Sequence, residues 1–304
     1  MGRVDWSRRV LTVLVGIPTA LKLLHSLAGM WCLASFLCAL CIFEFASNIA
    51  PRIAVVGDHG SASPLRLVVL SLAVCAAACT GEKILHASSF GSLCDAHLRV
   101  WYSDVMMQVA IVFSCCVHIA TARRVDLPVV SALLLDLLAL AYIVSGFGHA
   151  ILLRSATRFG LGFQILGLSC AWICDSGALV AGNFLGHRKL APIVSPGKTI
   201  VGAVAGVASS VATVVLFFRL PMASAFEGFL PLDVSLMEQL ALGLVLGVLC
   251  ILGDLVESLL KRVADTKDSG TFFPGHGGCL DRMDSFLFIA PALFYYSSFR
   301  FSPQ

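Results

Sequence analysis

The chain has 304 residues, of which 58% are hydrophobic and only 13% are charged, and its formal net charge is +3. A soluble domain of this length carries about 25% charged residues, and no polar stretch is long enough to form one, so the composition predicts an all-α polytopic membrane protein. The net charge is too small to argue for a nucleic-acid partner, so we expect none, and it fits a surface that faces anionic lipid headgroups.

Nine stretches approach the length of about 20 apolar residues that a helix needs to cross a bilayer. The first is broken by Pro18 and carries Lys22, so a re-entrant segment is the alternative there. In chain order the stretches cover about residues 10–24, 28–48, 65–80, 104–121, 128–149, 159–182, 199–218, 239–260 and 284–301.

The distribution of lysine and arginine predicts the orientation of these spans. With the N-terminus inside, the inner loops hold about twice as many of these residues as the outer loops, which indicates a cytoplasmic N-terminus. The polar loops at 183–198 and 261–283 then lie on one face whether or not the first stretch spans, and we expect that face to be cytoplasmic.

Two acidic residues, Glu44 and Asp136, lie inside apolar runs. An ionisable residue within a membrane span is a functional candidate by default. Neither has a clear partner nearby in the sequence, and Asp136 is also explained by a polar interior of the helix bundle.

The first polar motif covers residues 172–202, WICDSGALVAGNFLGHRKLAPIVSPGKTIVG. Asp175 lies among small residues that let a helix or a ligand come close to the backbone. The segment Ser195–Thr199 predicts a tight turn before the next helix, whose free N–H groups and Lys198 would suit an anion. The spacing is not that of a Walker A loop, and a capped helix start with headgroup-binding lysines is the alternative.

The second polar motif covers residues 253–285, GDLVESLLKRVADTKDSGTFFPGHGGCLDRMDS. Residues three, four and seven apart share a helix face, so the motif predicts one such set before the glycine turn at 274–278 and another after it. Carboxylates from two helices that face each other suit a site for two cations. The alternative is a salt-bridged loop at the membrane surface, with Asp254 paired to Lys261. The two sets are Asp254, Glu257, Ser258 and Lys261, and Asp281 and Asp284.

The run from Ser258 to Ser285, S-x-x-K-R-x4-K-D-S-G-x3-P-G-H-G-G-x2-D-R-x-D-S, closely resembles the signature of the phosphatidate cytidylyltransferases, or CDP-diacylglycerol synthases. The first motif resembles a second region of that family. The resemblance begins at about residue 165. One departure is the pair Ile200 and Val201, where the family often has an aromatic and an acidic residue.

The resemblance implies a multi-span helical enzyme that makes CDP-diacylglycerol and pyrophosphate from CTP and phosphatidate, with Mg²⁺ and room for a second cation. It implies that residues 1–150 form a scaffold and residues 151–304 the catalytic region. Asp254 and Asp281 would bind the metal, and these two, Lys261 and Asp284 would be the catalytic residues. The residues implied in substrate binding are Asp175, Ser195, Lys198, Thr199, Arg262, Lys267, Asp268, His276, Gly277, Gly278 and Arg282.

Two other functions remain as alternatives. One is a CTP-dependent kinase of a lipid alcohol, which would release CDP instead of pyrophosphate. The other is a transporter whose acidic residues bind a coupling ion. We expect a bacterial inner membrane, with the endoplasmic reticulum or an organelle as the alternative, and the resemblance implies a homodimer.

Overall fold

The computed structural model describes residues 16, 18–54, 64–80, 92–122, 126–156, 159–219, 229–231, 233–273 and 277–301, which are almost entirely helical. Two π-helical turns, Phe45–Ile49 and Leu140–Val144, each join two consecutive α-helices. The α-helices are α1 Leu27–Glu44, α2 Ala50–Ala54, α3 Pro64–Thr80, α4 Ser92–Thr121, α5 Leu127–Ala139, α6 Ser145–Ala156, α7 Gly160–Leu185, α8 Ile200–Arg219, α9 Leu236–Val263 and α10 Leu280–Phe301.

Six helical segments among the described residues are long and apolar enough to cross a membrane. The apolar helix Pro64–Cys79 is shorter, and α10 is not among the six. The chain is therefore an all-α membrane protein, as its composition predicts. Part of the predicted first span, residues 10–24, lies outside the described residues. The six segments are Leu27–Ala54, Val100–Thr121, Leu127–Ser155, Gly160–Leu185, Ile200–Arg219 and Leu236–Val263.

The chain forms two compact units. Unit 1 contains Met1–Ser155 and Leu260–Met283, and unit 2 contains Ala156–Leu259 and Asp284–Gln304. Unit 2 thus contains the whole first motif and residues 253–259 and 284–285 of the second, whereas unit 1 contains residues 260–283 of the second motif. The division into a scaffold, residues 1–150, and a catalytic region, residues 151–304, stays a prediction.

Unit 1 contains a buried group of charged side chains. Asp136 on α5 forms an ion pair with Arg66 of α3, and its Oδ2 lies 2.8 Å from Nε2 of His118 on α4. Because a buried carboxylate is costly without partners, these two contacts explain how Asp136 is accommodated within an apolar helix. The partners are distant in the sequence, which is why no local pattern indicates them.

Unit 2 contains a two-stranded antiparallel hairpin between α7 and α8, which corrects the prediction of a tight turn at Ser195–Thr199. That segment is strand β2, paired with β1 (Lys189–Ala191), and the turn lies at residues 192–194. Proline disfavours the helical conformation of the residue before it, so Pro196 keeps Ser195 extended. Helix α8 begins at Ile200, and the hydroxyl of Thr199 accepts a hydrogen bond from the Gly202 N–H at 3.1 Å.

Candidate active site

Three acidic side chains of unit 2 come together on α9 and α10. Asp254, Glu257 and Asp284 each offer a carboxylate oxygen, and these oxygens lie within 4.8 Å of one another. Glu257 is fully buried and Asp284 is 7% exposed. Such a concentration of negative charge in a protein interior requires compensation by a cation or by hydrogen bonds.

Lys198 brings a positive charge to this acidic group. Its ammonium forms an ion pair with Asp254, so a residue of the first motif contacts a residue of the second. The hydroxyl of Ser258 also donates to Asp254 Oδ1 at 3.2 Å, which confirms that residues 254 and 258 share a face of α9. The side chains of Lys198 and Asp254 are 24% and 25% exposed, so both groups are accessible from solvent.

Three helices of unit 2 converge next to the acidic group. The thiol of Cys250 on α9 lies 3.7 Å from Asp175 Oδ1 on α7, and the hydroxyl of Ser285 on α10 donates to the Cys250 carbonyl at 3.1 Å. A Cβ on Gly253 would lie 2.6 Å from the carbonyl oxygen of Asp284, so glycine is required for the close approach of α9 and α10. This packing fixes the separation of Asp254 from Asp284.

Asp281 is the centre of a hydrogen-bond network in unit 1. Lys261 Nζ donates to its Oδ1 at 2.7 Å. Its Oδ2 accepts from the N–H groups of Ser269 and Gly278 at 2.9 and 2.7 Å, and the Ser269 hydroxyl lies 3.1 Å away. The side chain is only 5% exposed. The network holds a lysine and the glycine-containing loop in a fixed arrangement around one carboxylate.

Gly277 shapes the loop before α10. Its φ angle is +84°, a conformation that L side chains rarely adopt, and a Cβ there would lie 2.9 Å from Asp281 Oδ2 and 3.4 Å from Asp268 Oδ1. Its carbonyl accepts from the Phe273 N–H at 3.0 Å. The glycine therefore lets the backbone pass close to both carboxylates.

The other predicted site residues divide by exposure. In unit 1 Arg262, Lys267, Asp268 and Arg282 are exposed, and in unit 2 Asp175 is exposed while Ser195 is half-buried. His276 lies outside the described residues. The predicted roles of these residues in substrate binding stay predictions.

Two acidic residues had no predicted catalytic, metal-binding or substrate-binding role. The three-residue spacing placed Glu257 on the same face of α9 as Asp254, but only Asp254 and Asp281 were predicted to bind the metal. Glu44 is buried in unit 1 and accepts hydrogen bonds from residues near 280. Its position in an apolar run was the only indication, because its partners lie more than 200 positions away.

The fold and the site define a helical membrane protein with a buried acidic group that contacts a lysine. The chain belongs to the cytidylyltransferase family, whose model matches residues 7–299. It is 41% identical over 158 residues to the phosphatidate cytidylyltransferase of Bacillus subtilis, an alignment that covers 52% of this chain and 55% of that protein.

Two further relatives carry the same name. The protein of Staphylococcus haemolyticus is 37% identical over 158 residues, which cover 52% of this chain and 56% of the relative. The Synechocystis protein is 42% identical over 137 residues, which cover 45% of this chain and 43% of the relative. The chain thus aligns with about half the length of the curated relatives it matches.

Proposed function

We propose that the chain is a phosphatidate cytidylyltransferase that converts CTP and phosphatidate to CDP-diacylglycerol and pyrophosphate for phospholipid biosynthesis. The observation that carries this proposal is the ion pair between Lys198 and Asp254, within an acidic group that also contains Glu257 and Asp284. Carboxylates for a divalent cation beside a lysine for phosphate suit the transfer of a nucleotidyl group. Family membership and the names of the aligned relatives support the same reaction.

The acidic group fits a magnesium ion. Mg²⁺ binds oxygen ligands and usually takes one or two carboxylates together with substrate phosphates, and the three carboxylate oxygens lie within 4.8 Å of one another. Asp254, Glu257 and Asp284 would hold the ion, which when bound supplies positive charge to the triphosphate. The resemblance also assigns Asp281 to metal binding and allows a second cation, and both remain proposals.

The reaction needs little acid–base chemistry from the protein. A phosphate oxygen of phosphatidate attacks the α-phosphorus of CTP in line, and the bond from that phosphorus to the oxygen bridging to the β-phosphorus breaks. The attacking group is already an anion near neutral pH, so no strong general base is required. Lys198 would orient the nucleotide or lipid phosphate and offset its negative charge, with Asp175, Ser195 and Thr199 assisting.

Further cations lie in unit 1, and the resemblance assigns them to phosphate binding. Lys261 is oriented by Asp281 through a 2.7 Å hydrogen bond, so its ammonium is held in one place. Arg262, Lys267 and Arg282 are exposed and would bind phosphate oxygens, as the resemblance implies. Asp268, His276, Gly277 and Gly278 complete the proposed substrate-binding set.

The topology and location also form part of the proposal. Nine spans with a cytoplasmic N-terminus would place the polar loops on the cytoplasmic face, where CTP is available. The bacterial relatives support an inner membrane, with the endoplasmic reticulum or an organelle as the alternative, and a homodimer follows from the resemblance. Reporter fusions at successive loops test the topology, and the mass of the detergent-solubilised protein tests the dimer.

Turnover by the purified protein tests the proposed reaction. With CTP, phosphatidate and Mg²⁺ we expect one pyrophosphate for each CDP-diacylglycerol formed, and no product without phosphatidate. Phosphorylation of a lipid alcohol with release of CDP would instead identify a kinase. Movement of a solute across vesicles without any turnover would identify a transporter.

A further inference from the structure

Glu44, at the end of α1, is a buried acid that binds the start of α10 within unit 1. Its Oε1 accepts a hydrogen bond from the Cys279 N–H at 3.0 Å, and its Oε2 accepts from the Leu280 N–H at 3.1 Å. The Ser269 hydroxyl lies 3.1 Å from the same Oε2. The carboxylate is only 5% exposed, so these contacts compensate for its loss of solvent.

This arrangement caps the N-terminus of α10 from a distant part of the chain. The first N–H groups of a helix have no partner within the helix, and a negative charge there is favoured by the helix dipole. Cys279, which precedes α10, has a sulfur that accepts hydrogen bonds only weakly. Glu44 therefore performs the role that a serine or aspartate cap usually performs.

Asn48, one helical turn after Glu44, also binds Ser269, which lies in the loop before α10. It lies in the π-helical turn Phe45–Ile49, and its Nδ2 donates to the Ser269 carbonyl oxygen at 2.8 Å. A π-helical turn inside a longer helix frequently occurs at a functional site. Glu44 and Asn48 thus contact the side chain and the carbonyl of one fully buried serine.

Ser269 connects these two residues to Asp281. Its N–H donates to Asp281 Oδ2 at 2.9 Å, and its hydroxyl lies 3.1 Å from that oxygen and from Glu44 Oε2. Because the hydroxyl has one hydrogen, it donates to one carboxylate at a time. Asp281 in turn accepts from Lys261, so the contacts run without a break from Glu44 to the lysine.

We propose that Glu44 and Asn48 are positioning residues that set the orientation of Asp281 and Lys261. The proposal rests on the proposed function, because it assigns Asp281 and Lys261 to the cytidylyl transfer. It assigns no substrate contact to Glu44 itself. Glu44 and Asn48, which lie in the predicted scaffold, would then affect the rate of the reaction through the loop before α10.

The variant Glu44→Gln tests the proposal with little change in shape. An amide keeps one acceptor oxygen and directs an NH₂ group at a backbone N–H that needs an acceptor. We expect kcat to fall about 10- to 100-fold, with a smaller change in the KM for CTP. This is the usual effect of removing a hydrogen-bond partner that orients a metal ligand. Asn48→Ala should lower kcat in the same direction by a smaller factor.

Asp136→Asn is the matched control, because Asp136 is a second buried carboxylate of unit 1. We expect this variant to lower the thermal stability and to keep the kcat of the folded protein. Amide hydrogen exchange in the full-length protein adds a readout that does not depend on activity. Peptides that contain residues 278–281 should exchange faster in Glu44→Gln than in the wild type, and should exchange normally in Asp136→Asn.

Two results would overturn the proposal. One is a Glu44→Gln protein with wild-type kcat and exchange. The other is a loss of kcat that only parallels a loss of stability and that Asp136→Asn reproduces, since Glu44 would then act as a general structural residue. If the wild type transfers no cytidylyl group, the proposed function fails, and the exchange experiment still decides whether Glu44 holds the loop.

Discussion

Replacing Gly253 by alanine should separate the helices that carry Asp254 and Asp284. The added Cβ would lie 2.6 Å from the Asp284 carbonyl oxygen and 2.9 Å from the Ser285 Cα, whereas an ordinary contact is 3.4–4 Å. Moving the oxygen from 2.6 to 3.4 Å requires a shift of about 0.8 Å. Both of these neighbours are backbone atoms, so no side chain can rotate away to relieve the overlap.

The expected effect on activity is larger than the effect on stability. Alanine in place of glycine within a helix gains about 1 kcal/mol, and the overlap costs about 1–3 kcal/mol, so the net loss of stability is at most about 2 kcal/mol. A displacement of about 1 Å in a site that works by positioning lowers turnover about 100-fold. We therefore expect a folded protein with little activity.

The assay compares cytidylyl transfer at saturating substrates with thermal unfolding in detergent. Gly148→Ala is the matched control, because a Cβ there would lie 3.9 Å from its nearest neighbour, the Ser103 hydroxyl. This control should be as active as the wild type and at least as stable. A Gly253→Ala protein with normal turnover and increased stability would refute the role assigned to the packing of α9 on α10.

Three further substitutions test individual side chains of the site. Lys198→Ala should change the stability by less than about 1 kcal/mol, because its ion pair is partly exposed. The same variant should lower kcat/KM for CTP about 100-fold, and unchanged kinetics would show that Lys198 does not belong to the site. Asp281→Asn should abolish turnover, because the amide cannot serve all the donors around it, and normal activity at saturating CTP would contradict its catalytic assignment. Glu257→Gln should raise the Mg²⁺ concentration for half-maximal activity about 10-fold or more, and a magnesium titration that matches the wild type would exclude it as a ligand.

The helical parts of the site could be predicted because they depend on local spacing. The contact between Asp254 and Ser258 follows from residues four apart on α9. The partner of Asp254 was harder to predict. Within its own motif the candidate was Lys261, about 10 Å further along the helix axis. The structure instead pairs Asp254 with Lys198 of the first motif. Tertiary packing decides such a pair.

Other features had no local pattern to indicate them. The segment Ser195–Thr199 contains a proline and a glycine, which are typical of turns, but its pairing with β1 makes it a strand. Glu44 lies in an apolar run, and its hydrogen bonds to Cys279 and Leu280 depend on how distant segments pack within unit 1. The sequence indicated that Glu44 was unusual without indicating what it contacts.

The position of the label in CTP tests the proposed reaction most directly. Purified protein would be incubated with phosphatidate and Mg²⁺, once with CTP labelled at the α-phosphorus and once with CTP labelled at the γ-phosphorus. The proposed cytidylyl transfer predicts that the α label enters the lipid and the γ label appears in pyrophosphate. A γ label in the lipid and an α label in free CDP would contradict it and would show that the protein transfers the terminal phosphate.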